Sequence, residues 1–154
     1  MKKDKSSKIQ KAATTIADRC LSMRIRFLNR TVNAIYDDAY RDIGITAAQG
    51  NMLVAIVLNE GISPTILGQR LNIEKSTLSR NLDRMRKSDL IDVREPSSGR
   101  SLELMPTKKG HELLLEILPR WESAEAATRE LLGEDESSNI TEAVDQARAK
   151  LLKE

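Results

Sequence analysis

Residues 62–110 read ISPTILGQRLNIEKSTLSRNLDRMRKSDLIDVREPSSGRSLELMPTKKG, and this stretch decides the fold. Leu78, Leu82 and Met85 recur at helical spacing, which predicts a helix over 74–87 with one buried face. The other face carries short hydroxyl residues together with Arg and Lys. Hydroxyls and Arg reach base edges in a DNA major groove, while Arg and Lys at the margins contact phosphates. The pattern therefore favours a recognition helix.

The neighbouring segments complete a winged helix-turn-helix. Ser63 and Pro64 are typical of the N-cap and first turn of a short helix, and only a few residues separate that helix from the next one. Residues 91–105 alternate apolar and polar residues on both sides of a turn cluster, which predicts a β-hairpin wing. Arg100 lies near its tip, where the negative potential of a minor groove would attract it.

We expect the DNA contacts to come from the outer face of the helix and from the wing. The hydroxyls, Arg80 and Asn81 are expected at base edges, Arg84 and Lys87 at phosphates, and Arg100 in the minor groove. The full expected set is Lys75, Ser76, Thr77, Ser79, Arg80, Asn81, Arg84, Lys87, Arg94, Ser98 and Arg100.

The order of these motifs resembles the MarR (multiple antibiotic resistance regulator) family of bacterial transcription factors. The resemblance implies an obligate homodimer that binds a palindromic operator, with release by a small ligand or by oxidation. The chain departs from the family at Ser98, where Asp is usual, and at Pro106, where Leu is more frequent. The segments that carry the resemblance are Tyr36-Asp37, Gly44 to Gln49, STLSRNLDRM over 76–85, the hairpin that ends in Arg100, and Thr107-Lys108-Lys109-Gly110.

Composition places the 154-residue chain among ordinary globular proteins, with 40% hydrophobic and 31% charged residues. Aromatic residues are only 3%, which disfavours stacking on single-stranded nucleic acid. Residues 63–109 hold ten Lys and Arg against six Asp and Glu, whereas residues 110–154 hold five against eleven. We therefore expect the middle of the chain to face a duplex and the acidic last third to lie away from it.

Long apolar stripes on both sides of this segment predict a helical dimerisation domain. Residues 12–42 contain no Gly or Pro and carry two stripes, which predicts one long helix with two buried sides. Thr107 is expected to cap a helix that ends before Gly133. A second copy of the chain would cover the excess apolar surface. The predicted domains are a flexible basic arm, 1–11, a helical dimerisation domain, 12–45 with 108–154, and a winged helix-turn-helix, 46–107.

The resemblance also implies a ligand pocket between the dimerisation and DNA-binding domains. Arg24, Arg26 and Tyr36 are the candidate lining residues. Cys20 is the single cysteine, which excludes an intrachain disulfide. It is a candidate redox sensor, and a small helix-packing residue is the simpler interpretation.

Two other classes of function are weighed against the regulator. A winged-helix protein-interaction module without sequence-specific DNA reading is the alternative, although such a module has no need of Arg80, Arg84 and Arg100. An enzyme is disfavoured, because one Cys, one His and no glycine-rich phosphate loop leave no catalytic group, metal site or cofactor to nominate. No membrane span or signal peptide is evident. We therefore expect a cytoplasmic repressor whose partners are double-stranded DNA, a second copy of the chain and a small effector.

Overall fold

Helices dominate the computed structural model of the protein, which describes residues 2–95 and 101–151. The fold class predicted from the sequence, mainly helical with a small hairpin wing, is confirmed. The elements in chain order are α1 (Lys2–Arg19), α2 (Leu21–Ala39), a 3₁₀ turn (Arg41–Ile43), α3 (Ala47–Val57), α4 (Pro64–Leu71), α5 (Lys75–Lys87), β1 (Ile91–Arg94), β2 (Glu103–Pro106), α6 (Lys108–Leu132) and α7 (Glu134–Leu151).

The chain forms two compact units, Met1–Ala34 and Ile35–Glu154. The first unit holds α1 and most of α2. The flexible arm expected over residues 1–11 is instead, from Lys2 onward, the beginning of α1. Lys and Gln are good helix formers and residues 2–11 contain no Gly or Pro, so local propensity extends the helix toward the terminus.

The single long helix expected over residues 12–42 is divided at Cys20, which is a correction to the sequence analysis. Backbone hydrogen bonds still run from the Cys20 N–H to Ile16 and from the Arg24 N–H to Cys20, at 2.9 and 3.4 Å. The Arg24 guanidinium donates to the carbonyl oxygens of Asp18 and Cys20. The side chain of Arg24 therefore satisfies carbonyl groups that the interruption exposes.

In the second unit, the start of α3 is fixed by three side chains. Thr46 and Gln49 form a capping box, in which the Thr46 N–H donates to Gln49 at 3.0 Å and the Gln49 N–H donates to Thr46 at 3.3 Å. The Asp37 carboxylate accepts a further hydrogen bond from the Ala47 N–H at 2.7 Å. Because Asp37 belongs to α2, this contact sets where α3 begins relative to the end of α2.

The hydrophobic core lies among α3, α4, α5, the hairpin and the first half of α6. Met52 and Ile56 of α3, Leu67 of α4, Met85 of α5 and Leu104 of β2 are each completely buried. Almost every element of the winged helix thus contributes a buried side chain to the same core cluster. This shared packing fixes the relative orientation of the helices, because closely packed interiors leave little room for sliding.

The hairpin is a short antiparallel ribbon in which Ile91 pairs with Pro106 and Arg94 with Glu103. The second strand includes Pro106, one residue beyond the predicted wing, because burial of Leu104 and Pro106 sets its register. A further bridge joins Ile62 to Leu104 and was not predicted from the sequence. This bridge attaches the segment before α4 to the wing.

The first turn of α6 is locked onto the turn that follows α5. The Thr107 hydroxyl donates to the Asp89 carbonyl at 2.6 Å and accepts from the Gly110 N–H at 3.0 Å. The Lys109 ammonium donates to the Ser88 carbonyl at 2.8 Å. A Cβ atom on Gly110 would lie 2.2 Å from the Leu90 carbonyl oxygen, so only glycine allows this approach.

We expect Gly110→Ala to lower the free energy of unfolding by about 1–3 kcal/mol, because the added methyl group must push a backbone carbonyl aside. Gly68→Ala is the matched control. Its added Cβ would lie 3.1 Å from the Cδ2 atom of Leu78, a side chain that can move, and the gain in helix propensity offsets the crowding. Urea unfolding of the three proteins measures the difference, and equal midpoints for Gly110→Ala and wild type would show that the close approach is not required.

Candidate nucleic-acid interface

Helix α5 is held by one face and exposed on the other, as the sequence predicts. Leu78, Leu82 and Met85 are buried at 5%, 8% and 0% exposure. The helix runs Lys75–Lys87 and Glu74 is its N-cap residue. The predicted contact residues on it are exposed, apart from the half-buried Asn81; they are Lys75, Ser76, Thr77, Ser79, Arg80, Arg84 and Lys87. The exposed face of α5 is therefore a continuous surface of mainly polar and basic side chains.

Short hydrogen bonds order several of these side chains. The Ser76 hydroxyl donates to the Glu74 carboxylate at 2.6 Å. The Asn81 amide donates to the Thr77 carbonyl at 2.9 Å, and the Arg80 guanidinium lies 3.4 Å from the Thr77 hydroxyl. The first two turns of α5 are thus partly preorganised, which lowers the entropy lost when a ligand binds there.

The position of α5 depends on the helix before it. The Ser63 hydroxyl accepts from the Ile66 N–H at 3.3 Å and Pro64 occupies the first turn of α4, as predicted. Gly68 lets α4 approach the side chain of Leu78 closely. Asn72 ends α4 in the left-handed conformation, with φ of 49°. This residue makes the tight turn that directs the chain into α5.

The wing contributes one described candidate, Arg94, at the end of β1. Its side chain is exposed, and its guanidinium lies 3.8 Å from the Asp92 carboxylate. A solvent-exposed pair at this distance stabilises the wing little, so Arg94 can exchange Asp92 for another anion. The other two wing candidates, Ser98 and Arg100, lie outside the described residues, and their expected roles stay predictions.

Glu74 is the residue at this surface that the sequence analysis missed. Its position just before the first hydroxyl of the helix was visible in the sequence. A carboxylate is not expected in a surface that attracts phosphates, so it was assigned only to the helix start. Its contact with Ser76 depends on a choice of side-chain rotamer, which spacing alone does not reveal.

The three residues expected in a ligand pocket are distributed over both units. Arg24 and Arg26 are exposed residues of the first unit. Tyr36 belongs to the second unit, and its hydroxyl donates to the Glu125 carboxylate of α6 at 2.6 Å. Burial, followed by the hydrogen bond to Glu125, raises the pKa of Tyr36 to about 12. Tyr36 is therefore a neutral donor that ties α2 to α6.

The bond from Tyr36 is the first of a series along α6. The other carboxylate oxygen of Glu125 accepts from the Arg129 Nε at 2.9 Å, and Arg129 donates to Glu134 of α7 at 2.7 Å. These two carboxylates raise the pKa of the Arg129 guanidinium. Earlier in α6, the Arg120 guanidinium binds both carboxylate oxygens of Asp42 and lowers the pKa of that carboxyl group.

An apolar groove of about 540 Å³ lies between α3 and α6 in the second unit. Trp121 is 43% exposed and Leu118 is 53% exposed at its rim. The groove was not predicted from the sequence. The lining residues include Tyr40, Asn51, Val54, Leu114, Leu118 and Trp121.

Cys20 and the single histidine, His111, have ordinary surroundings. Cys20 is a half-exposed free thiol at the interruption between α1 and α2. The His111 imidazole lies 3.5 Å from the Glu60 carboxylate, and both side chains are about half exposed. Within residues 2–95 and 101–151, His, Cys, Asp and Glu side chains form no group of three that would hold a metal ion. None of the helices in that part of the chain has the length and hydropathy of a membrane span.

Comparison with known proteins agrees with this geometry. A model of the MarR family matches residues 43–101, which include α3, α4, α5 and β1. The solved structure of the transcriptional regulator MosR from M. tuberculosis is 28% identical with a TM-score of 0.72, and the match covers 86% of this chain and 98% of that one. None of the curated proteins matches the sequence.

Two further solved structures share the fold at lower identity. A cysteine-to-serine mutant of MarR from E. coli, complexed with operator DNA, is 19% identical with a TM-score of 0.75, covering 86% of this chain and 96% of that one. The transcriptional regulator SlyA is 19% identical with a TM-score of 0.72, covering 86% and 94%. The family resemblance carried by the sequence motifs is therefore confirmed.

Proposed function

We propose that this chain, whose residues 43–101 match a model of the MarR family, is a dimeric, DNA-binding transcriptional repressor that a small ligand releases from its operator. It acts in the bacterial cytoplasm on double-stranded DNA. The observation that carries the proposal is the outer face of α5, where hydroxyls, Arg80 and Asn81 lie together and Arg84 and Lys87 follow at the margin.

The chemistry of this face suits a major groove. Arg donates two hydrogen bonds to the O6 and N7 atoms of guanine, and Asn donates to and accepts from adenine. Arg84 and Lys87 end the helix as cations that pair with phosphates on either side of the groove. Arg94, with Ser98 and Arg100, would extend these contacts from the wing into the neighbouring minor groove.

We expect Arg80→Ala to weaken binding to the operator by about tenfold or more, because it removes a base contact of the size typical of Arg with guanine. The measurement is fluorescence anisotropy against duplexes that flank the protein's own coding region, at two salt concentrations and with an unrelated duplex as competitor. Wild-type affinity should fall steeply as salt rises, since phosphate contacts release counterions.

Arg41→Ala is the matched control for this experiment, because it removes the same charge from an exposed ion pair with Asp38 in the 3₁₀ turn. It should leave operator affinity within about twofold of wild type. If Arg80→Ala binds DNA as wild type does, the outer face of α5 is not the reading surface. Retained binding to a protein partner would then support the interaction-module alternative.

The dimer is supported by apolar side chains that the single chain leaves in water. Leu21 and Phe27 of α2 are 68% and 72% exposed, and Val144 and Leu151 of α7 are 52% and 68% exposed. Large apolar patches of this kind mark surfaces that another protein covers. We propose that a second copy covers them, which would place two recognition helices ~34 Å apart on a pseudo-palindrome.

Sedimentation equilibrium should give a mass of about twice 17.3 kDa, with two chains bound to each operator duplex. Phe27→Glu should shift the protein toward a monomer, because a carboxylate would be buried in the dimer. Leu58→Glu is the matched control, since Leu58 is as exposed as Phe27 and lies at the end of α3. A wild-type protein that sediments as a monomer at micromolar concentration would contradict the proposal.

For ligand release, we propose the groove between α3 and α6 as the effector site. The groove has the volume of a small-molecule pocket and is mostly apolar, with the amide of Asn51 as a polar group. It borders α3, which packs under the helix-turn-helix, so an occupant that favours one spacing of the recognition helices would change DNA affinity. The assignment of Arg24, Arg26 and Tyr36 to a ligand pocket stays a prediction.

Fluorescence of Trp121, the single tryptophan, reports directly on this groove. The dye 8-anilinonaphthalene-1-sulfonate should accept energy from Trp121 on binding and should lower operator affinity in the same concentration range. Leu118→Glu should remove both effects, whereas Leu58→Glu, which leaves the groove unchanged, should keep them. Energy transfer that is equal in the two variants would place the dye elsewhere.

A further inference from the structure

The start of α5 holds a carboxylate and a hydroxyl that act as a pair. The Ser76 Oγ–H donates to the Glu74 Oε2 atom at 2.6 Å, and both side chains are exposed. A residue at the N-cap position normally uses its side chain to accept from a free N–H of the first turn. Glu74 makes no such cap bond, and its carboxylate accepts the hydrogen bond from Ser76 instead.

This contact fixes the direction in which Ser76 can form hydrogen bonds. A serine hydroxyl has one proton to donate and two lone pairs that accept, and an ionised carboxylate only accepts. The distance of 2.6 Å lies in the range of charge-assisted bonds from a hydroxyl to a carboxylate. With the one proton committed to Glu74, every remaining polar site of the pair is an acceptor.

An acceptor-only surface discriminates among the groups that DNA presents. Phosphate oxygens, guanine O6 and N7, and thymine O4 are acceptors and gain nothing from it. The exocyclic amino groups of cytosine and adenine are the major-groove donors. Each base pair has one such amino group, on one side only, so the pair distinguishes a base pair from the same pair inverted.

We propose that Glu74, through Ser76, is a specificity-determining residue that selects the orientation of one base pair in each half-site, with the amino group of cytosine or adenine toward the start of α5. The inference rests on the proposed function, because it requires that this end of α5 enters the major groove. Residues at the N-terminus of a recognition helix are those that most often reach base edges.

The neighbours of the pair explain why a carboxylate is useful there. Lys75 and Arg80 are exposed donors that bind phosphates and guanines with little regard for the rest of the site. On other sequences Glu74 weakens binding, because its negative charge repels phosphates and its oxygen atoms repel the acceptor groups of the bases. Specificity of this kind comes from penalising competitors as well as from binding the correct partner.

The experiment is selection from a library of random duplexes, followed by affinity measurements on the selected site and on single inverted base pairs. For the wild type, inverting that pair in one half-site should cost about five- to tenfold in affinity, the lower range for one base contact. For Glu74→Gln, the cost at that pair should fall to about twofold or less, because the amide both donates and accepts. Glu74→Ala should relax the same pair.

Asp83→Asn is the matched control, because it removes the same charge from an exposed position on the same helix, about half a turn away from Glu74 in angle. Asp83→Asn should keep the wild-type preference at every position, even if general affinity for DNA rises in both variants. Circular dichroism confirms the fold of each variant.

The outcomes separate this inference from the function beneath it. No enriched sequence with the wild type would overturn the proposed function and this inference with it. An enriched site that Glu74→Gln and Glu74→Ala read as the wild type does would overturn only the role of Glu74. Relaxation of the same pair by Asp83→Asn would also overturn it, since the effect would then belong to charge and not to the pair.

Discussion

The close approach of α6 to the turn after α5 is the constraint on which the rest of the winged helix depends. At Gly110 the α6 backbone lies so near the Leu90 carbonyl that a Cβ atom would be 2.2 Å from its oxygen. Thr107 and Lys109 bind the carbonyl groups of Asp89 and Ser88 in the same turn. The turn is therefore held at consecutive residues, and α5, the wing and α6 leave it in fixed directions.

This close approach helps to fix the orientation of the basic helix α5 and of its exposed face. Leu78, Leu82 and Met85 take one side of α5 into the core, and Asn72, with φ of 49°, makes the tight turn that leads from α4 into α5. The polar face of α5 is therefore held in one orientation relative to the core. A flexible loop with the same residues would lose more conformational entropy on binding. On a rigid scaffold, the same few contacts therefore contribute more to affinity.

Ionic contacts extend this order along α6. Tyr36, Glu125, Arg129 and Glu134 follow one another as donor and acceptor from α2 across α6 to α7. Tyr36 keeps its proton because burial and the neighbouring carboxylate both disfavour the phenolate. The apolar groove lies on α6 beside Leu118 and Trp121, within the same second unit. The groove therefore borders a helix that is fixed at its first turn and tied along its length.

The sequence by itself determined the elements whose signals are local. Helical spacing of Leu78, Leu82 and Met85 gave α5 to within one residue, and Ser63 with Pro64 gave the start of α4. The exposed face of α5 follows from the same periodicity. These predictions succeeded because a cap or an amphipathic face depends on residues three or four positions apart.

Only the tertiary structure decided the features that join distant residues or balance competing local effects. The interruption at Cys20, the helical start at Lys2 and the register of β2 involve small energy differences that a pattern does not resolve. The bridge from Ile62 to Leu104, the bond from Tyr36 to Glu125 and the groove at Trp121 each need two segments far apart in the chain. Even the short contact from Glu74 to Ser76 depends on a rotamer choice, since the same carboxylate had the option of capping its helix. Spacing specifies which face a residue lies on, whereas packing specifies what that residue touches.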